Sequence, residues 1–176
     1  MKKLIIILLT CNLFASYDYN EESKLEDIDC LAKNIYFEAR SSNLADQAAV
    51  ADVVLNRVNS TKYPNTICEV VEEGPKKESW KTKQDLSLSQ AERIYFPIKD
   101  KCQFSWYCDG KSDEPQDQDA WIKAVYIATN MIEDSEYRGI SEGALNYHAD
   151  YVMPDWAKNL QLVGTIGRHI FYRQKD

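Results

Sequence analysis

Histidine is nearly missing from this chain: its 176 residues contain two, His148 and His169. A catalytic zinc ion takes three protein donors, so both histidines would have to converge with a carboxylate. No HExxH pair and no CxxC pair is present to pre-assemble such a set. The string Gly139-Ile140-Ser141-Glu142-Gly143 fits GxSxG in letters only: a helical run precedes it and a strand-like run follows, the reverse of the strand-to-helix turn that frames a serine nucleophile. Positive charge is in short supply. Against 28 Asp and Glu stand 21 Lys and Arg, a net charge of −7, whereas a nucleic-acid binder needs a basic surface to displace counterions from phosphate. No apolar run approaches the roughly 20 residues of a membrane-spanning helix, and no internal repeat or low-complexity tract occurs.

What is present begins with "MKKLIIILLTCNLFAS". Lys2 and Lys3, an apolar run from Leu4 to Leu9, and the small Ala15 and Ser16 have the layout of a secretory signal peptide over residues 1–16. It is read as cleaved, or kept as a short anchor; "LLTC" leaves open a lipoprotein signal with Cys11 as the modified residue. Residues 17–26, "YDYNEESKLE", read as a polar linker, and 27–176 as one domain of ordinary size. Such a chain is exported to the periplasm or cell envelope, with no stable membrane span after processing. Export also changes the reading of the four cysteines past the leader. Their even number suggests two disulfides, with three pairings possible. The favoured pairing is Cys102–Cys108, a tight loop around "QFSWY", with Cys30–Cys68. Paired cysteines are not nucleophiles.

A first helix is expected with Asp27 or Asp29 as its cap, since Ile28, Leu31, Ala32, Ile35 and Ala39 recur at helical spacing. "SSN" at 41–43 ends it and caps the next. "LADQAAVADVVLNRV", Leu44–Val58, reads as a mostly buried central helix, with Asn56 and Arg57 at its end satisfying backbone carbonyls or touching substrate. "YPNTICEVVEE" reads as a turn and short helix, 74–85 as a basic loop, and a further helix spans about Gln116–Ile132. Two strand-like runs close the chain, 143–149 and 165–173, joined by a Pro-containing connection. The fold class is therefore α+β, mainly α, a helical body with a small antiparallel sheet.

With zinc, serine and cysteine chemistry disfavoured, acid–base work by a carboxylic acid remains. Glu38, in "LAKNIYFEARSS", flanks the apolar stripe of the first helix beside Tyr36 and Phe37. Desolvation there disfavours the anion and raises the pKa toward the range of a general acid. Glycosidic cleavage needs such a donor, to protonate the leaving oxygen as positive charge develops on the sugar.

Five blocks then fall in one order: "LAKNIYFEARSSNLADQAAVADVVLNRV", "YPNTICEVV", "CQFSWYCDG", "ALNYHADYVMPDWA" and "IGRHIFYR". Together they resemble the SleB/CwlJ-type cell-wall hydrolases, the family of the spore cortex-lytic enzymes, over residues 29–173. The resemblance implies a lysozyme-like, lytic-transglycosylase-related fold acting on peptidoglycan glycan strands, with Glu38 of the "EAR" block as catalytic acid/base and no cofactor. It implies cleavage between N-acetylmuramic acid and N-acetylglucosamine, with attack by the muramic 6-hydroxyl. Many relatives follow "EAR" with Gly-Glu; Ser41 and Ser42 stand there in this chain, which leaves a single-carboxylate route. Gln103, Ser105, Tyr147 and His148 are the candidates for lining the cleft. Phe104 and Trp106 read as core, His169 as structural, and Arg40 as the partner of a surface carboxylate. A monomer is expected. Two alternatives stay open: a zinc-dependent N-acetylmuramoyl-L-alanine amidase using His148 and His169, and a peptidoglycan-binding protein without activity.

Overall fold

A computed structural model describes residues 19–175. The expected leader, residues 1–16, and Cys11 lie outside the described residues. The helices are α1 (Tyr19–Ala39), α2 (Leu44–Val58), α3 (Ile67–Val71), α4 (Trp80–Gln84) and α5 (Gln118–Glu133). The strands are β1 (Lys76–Glu78), β2 (Tyr95–Pro97), β3 (Asn146–Ala149), β4 (Gln161–Ile166) and β5 (His169–Arg173). This is the mainly helical α+β class expected.

α1 starts well before Asp27, so residues 19–26 are helix and not linker, and neither Asp27 nor Asp29 is a cap. The stretch is polar, but its Glu, Lys and Leu are good helix formers and it holds no Gly or Pro. Lys24 also pairs with Glu133 at the end of α5, which ties the extra turns to the body. Further along, Leu31 and Ile35 are fully buried against Val70 of α3 and Ile127, Ala128 and Met131 of α5. The Cys30–Cys68 disulfide, with Cα atoms 5.3 Å apart, fastens α1 to α3.

α2 is buried from two sides, which explains its nearly continuous apolar sequence. Ala48, Ala51 and Val54 face the α1–α5 core; Ala49, Val50 and Val53 face a second core made with Ala144 and with Phe171 of β5. Asn43 caps it, its side chain accepting from the Asp46 amide at 2.9 Å. The polar side chains of α2 are buried too, Asn56 partly, and each holds a neighbouring segment. Gln47 donates to the carbonyls of Ala39, Arg40 and Ser42, closing the α1–α2 turn. Asp52, fully buried, accepts from Arg138, the Gly139 and Ser141 amides, and the Ser141 hydroxyl. Asn56 donates to the Ala144 carbonyl and Arg57 to that of Leu145, the backbone role foreseen for both.

The C-terminal sheet has the order β3-β5-β4, all antiparallel. The run 165–173 is not one strand. It folds back at Gly167-Arg168, pairing Ile166 with His169 across a two-residue turn. Gly167 has φ +59°, and a Cβ on it would sit 2.5 Å from the Asp46 carboxylate. Gly167→Ala therefore combines left-handed strain with a clash, and is expected to destabilise the fold by about 3 kcal/mol. Urea denaturation checks this; an unchanged midpoint would mean that α2 and the hairpin are not held as described.

The segment read as a basic loop, 74–85, contains β1 and α4, because β1 finds a partner 17 to 21 residues later: Lys76 pairs with Pro97 and Glu78 with Tyr95. The Cys102–Cys108 disulfide closes the turn at the base of this ribbon.

Candidate active site

Glu38 stands at the C-terminal end of α1, half-buried, at the bottom of a groove of about 340 Å³. All of the residues expected to line a cleft with it do so. Gln103 and Ser105 come from the loop inside and beside the Cys102–Cys108 bridge and are exposed on the rim; Tyr147 and His148 come from β3. Among the described residues that line the groove, Glu38 is the one carboxylate.

One wall is aromatic. Phe37 precedes Glu38 on α1 and stacks on Trp106 with ring centres 4.7 Å apart. Trp106 is thus half core and half wall, and its Nε1–H donates to Asn34 Oδ1 at 3.3 Å. Phe104 is buried, as read from the sequence. On the opposite side the Tyr147 hydroxyl donates to Glu38 Oε2 at 3.2 Å.

Three more residues line the groove; the sequence offered Arg57, as touching backbone carbonyls or substrate, and did not single out His169 or Tyr151 for it. Arg57 lies over the rings of Tyr63 and Phe104, 5.1 Å from each, and lines the same groove as Glu38. His169 is buried as a structural residue is, with Nδ1 2.8 Å from Asp46 Oδ1, but its edge packs on Tyr147 at 5.1 Å and it borders the groove. Tyr151 adds an exposed ring at the rim. His169 meets Asp46 and Tyr147 from far away in sequence, and only the adjacency of "ADY" to "NYHA" hinted at Tyr151. Arg40 is a correction. It lies over the Tyr36 ring at 5.0 Å, and among the described residues it makes no ion pair.

The electrostatics follow from this packing. Burial raises the Glu38 pKa above the ordinary carboxylate value; the Tyr147 hydrogen bond and the charges of His169 and Arg57 oppose the shift without cancelling it. Burial, and then the nearby Glu38 charge, hold the Tyr147 phenol well above its usual range, so it remains a donor. Asp46 behaves oppositely. Burial disfavours its anion, but hydrogen bonds from His169, the Arg168 amide and Ser42 outweigh that and keep its pKa low. As an ionised acceptor, Asp46 fixes a proton on His169 Nδ1. His148 is engaged on both nitrogens, by the Tyr172 hydroxyl at 3.0 Å and the Ala149 carbonyl at 2.9 Å.

The Glu38 shift has a measurable consequence. The folded state binds this proton more tightly than the unfolded chain, whose reference pKa is 4.5, so Glu38 lowers stability progressively as pH rises from there through its folded pKa. Glu38→Gln removes that dependence. The variant is expected to melt above the wild type at neutral pH, with the gap closing near pH 4. A gap independent of pH would contradict a raised pKa.

A family model described as "Cell Wall Hydrolase" covers residues 41–172, beginning just after Glu38. The spore cortex-lytic enzyme of Bacillus subtilis (strain 168) is 45% identical over 145 residues, 82% of this chain and 37% of that protein. The Bacillus cereus spore cortex-lytic enzyme matches over 45 residues at 45% identity, covering 26% of this chain and 17% of its own length. The chain therefore spans little more than a third of the longer of these two matches. Among solved structures, the catalytic domain of the Bacillus cereus SleB protein superposes with a TM-score of 0.57 at 25% identity, over 85% of this chain and 91% of that one. The catalytic domain of a germination-specific lytic transglycosylase, SleB from Bacillus anthracis, gives 0.54 at 25% identity, over 90% and 98%. With three quarters of its length inside the family model, the chain belongs to the cell wall hydrolase family.

Proposed function

We propose that this chain is a lytic transglycosylase that cleaves peptidoglycan between N-acetylmuramic acid and N-acetylglucosamine. The observation that carries the reading is a single half-buried carboxyl, Glu38, raised in pKa and held by Tyr147 beneath an aromatic wall. Protonated Glu38 gives its proton to the bridging oxygen, and the bond from that oxygen to the muramic C1 breaks. The muramic 6-hydroxyl then bonds to C1 and returns its proton to the Glu38 carboxylate, so the enzyme is regenerated without water. Phe37 and Trp106 offer flat surfaces to sugar rings, and Gln103 and Ser105 offer polar contacts for N-acetyl and hydroxyl groups. Two disulfides fit work outside the cytoplasm, in the cell envelope.

The amidase reading draws less support. Among the described residues no group of three His, Cys, Asp or Glu is placed to hold a metal ion, and His148 already has partners on both nitrogens. Mass spectrometry of the products released from purified peptidoglycan separates the possibilities. Anhydro-muropeptides are expected. Reducing-end sugars would make the enzyme a hydrolase, and free stem peptides would restore the amidase.

A further inference from the structure

The ribbon formed by residues 74–101 differs in charge and surface from the rest of the molecule. It carries seven Lys and Arg against four Asp and Glu, inside a chain whose net charge is −7. Lys76, Lys77, Lys81 and Lys83 are exposed, and among the described residues none of them makes an ion pair. Large apolar side chains are exposed beside them: Trp80 at 65%, Ile94 at 53% and Phe96 at 51%. A ribbon this small, with its apolar residues outside, needs another source of order, and it has one. Arg93 bonds Glu78 at 2.6 Å and the carbonyls of Thr82 and Leu88, while the buried Thr82 hydroxyl bridges the Ser79 carbonyl and the Ile94 amide. This polar interior leaves the aromatic face free.

That face is concave. Lys77, Trp80, Lys81, Ile94 and Phe96 line a groove of about 530 Å³, together with Ser79 and with Glu78, whose carboxylate is already paired with Arg93. The base of the ribbon is tied to the rim of the active site, since the Gln103 amide donates to the Glu73 carbonyl at 2.9 Å. The chain takes four residue steps from Glu73 to Lys77, a span of at most about 13 Å.

We propose that this ribbon groove is a second peptidoglycan-binding site, which takes the acidic stem peptide of the strand whose glycan occupies the Glu38 groove. The lysines would pair with the peptide carboxylates, and Trp80 and Phe96 would cover its aliphatic parts. The concavity favours a discrete chain over a membrane surface. The inference rests on peptidoglycan being the substrate, and its test is therefore binding and not turnover.

The full chain carrying Glu38→Gln is mixed with purified sacculi, and bound protein is measured against the same chain carrying also Lys77→Glu, Trp80→Ala and Lys81→Glu. These side chains are exposed, so circular dichroism should report an unchanged fold. Affinity should fall about ten-fold, and binding of the parent should weaken as salt is raised. Glycan strands stripped of their peptides should bind the two proteins equally. Equal binding to intact sacculi would overturn the proposal, as would an equal loss on stripped glycan, which would make the ligand a sugar. Loss of binding to anionic lipid vesicles, with sacculi unaffected, would make the ribbon a membrane contact instead. If the wild type released no glycan fragments while the sacculus result held, the proposed chemistry would fail and the binding site would stand.

Discussion

Glu38→Gln should lower the release of glycan fragments from peptidoglycan about 10³-fold while leaving binding to sacculi within a factor of two. The amide has nearly the volume of the carboxyl, and its oxygen can still accept from the Tyr147 hydroxyl, so the groove keeps its shape. What it loses is the transferable proton. No other carboxylate among the described residues lines the groove, so no neighbour can take over either proton transfer, and both the departure of the bridging oxygen and the attack of the 6-hydroxyl slow together. The loss should fall on kcat and not on KM, because the substrate still finds the same surfaces. In the wild type, kcat should decline as pH rises through the elevated Glu38 pKa, since only the protonated acid can start the reaction. A Gln variant with more than a tenth of normal activity would show that the proton comes from elsewhere.

How much of this was legible beforehand depends on the distance over which each feature is written. Glu38 was legible because its setting is local: it follows Tyr36 and Phe37 on one helix and flanks that helix's apolar stripe. The central helix was legible as a continuous apolar run, and the disulfides from an even cysteine count. The hydroxyl that holds Glu38 was named as a candidate, but its contact spans 109 residues and no period or spacing encodes it. His169 was read as structural, and its hydrogen bond with Asp46 agrees with that; its place beside Tyr147 follows only from the hairpin at Gly167-Arg168. The ribbon was illegible for a different reason. Its strands are three residues long, too short for alternation to register, and its order comes from Arg93 and Thr82 bonds that a basic, Pro-containing sequence does not announce.

The two carboxylates that α2 buries, Asp46 and Asp52, pose a sharper test of the architecture, and Asp52 should be the more sensitive. Four donors converge on it: the Arg138 guanidinium, two amides and the Ser141 hydroxyl. Residues 135–143 include five left-handed backbone positions, Ser135, Tyr137, Gly139, Glu142 and Gly143, three of which are not glycine. Such a path persists only where the surroundings determine it. Asp52→Ala leaves a cation facing the core and three donors without an acceptor, which should cost about 3–5 kcal/mol and lower Tm by about 10 °C. Asp52→Asn should recover little, since its amide group turns a donor toward donors. The segment leads directly into β3, so its loosening should also release Tyr147 from Glu38, and activity below the melting transition should fall with KM little changed. Calorimetry and kinetics on the same samples can separate these effects. A variant that loses stability but keeps full kcat in its folded fraction would show that the segment supports the fold and leaves the position of Tyr147 to β5.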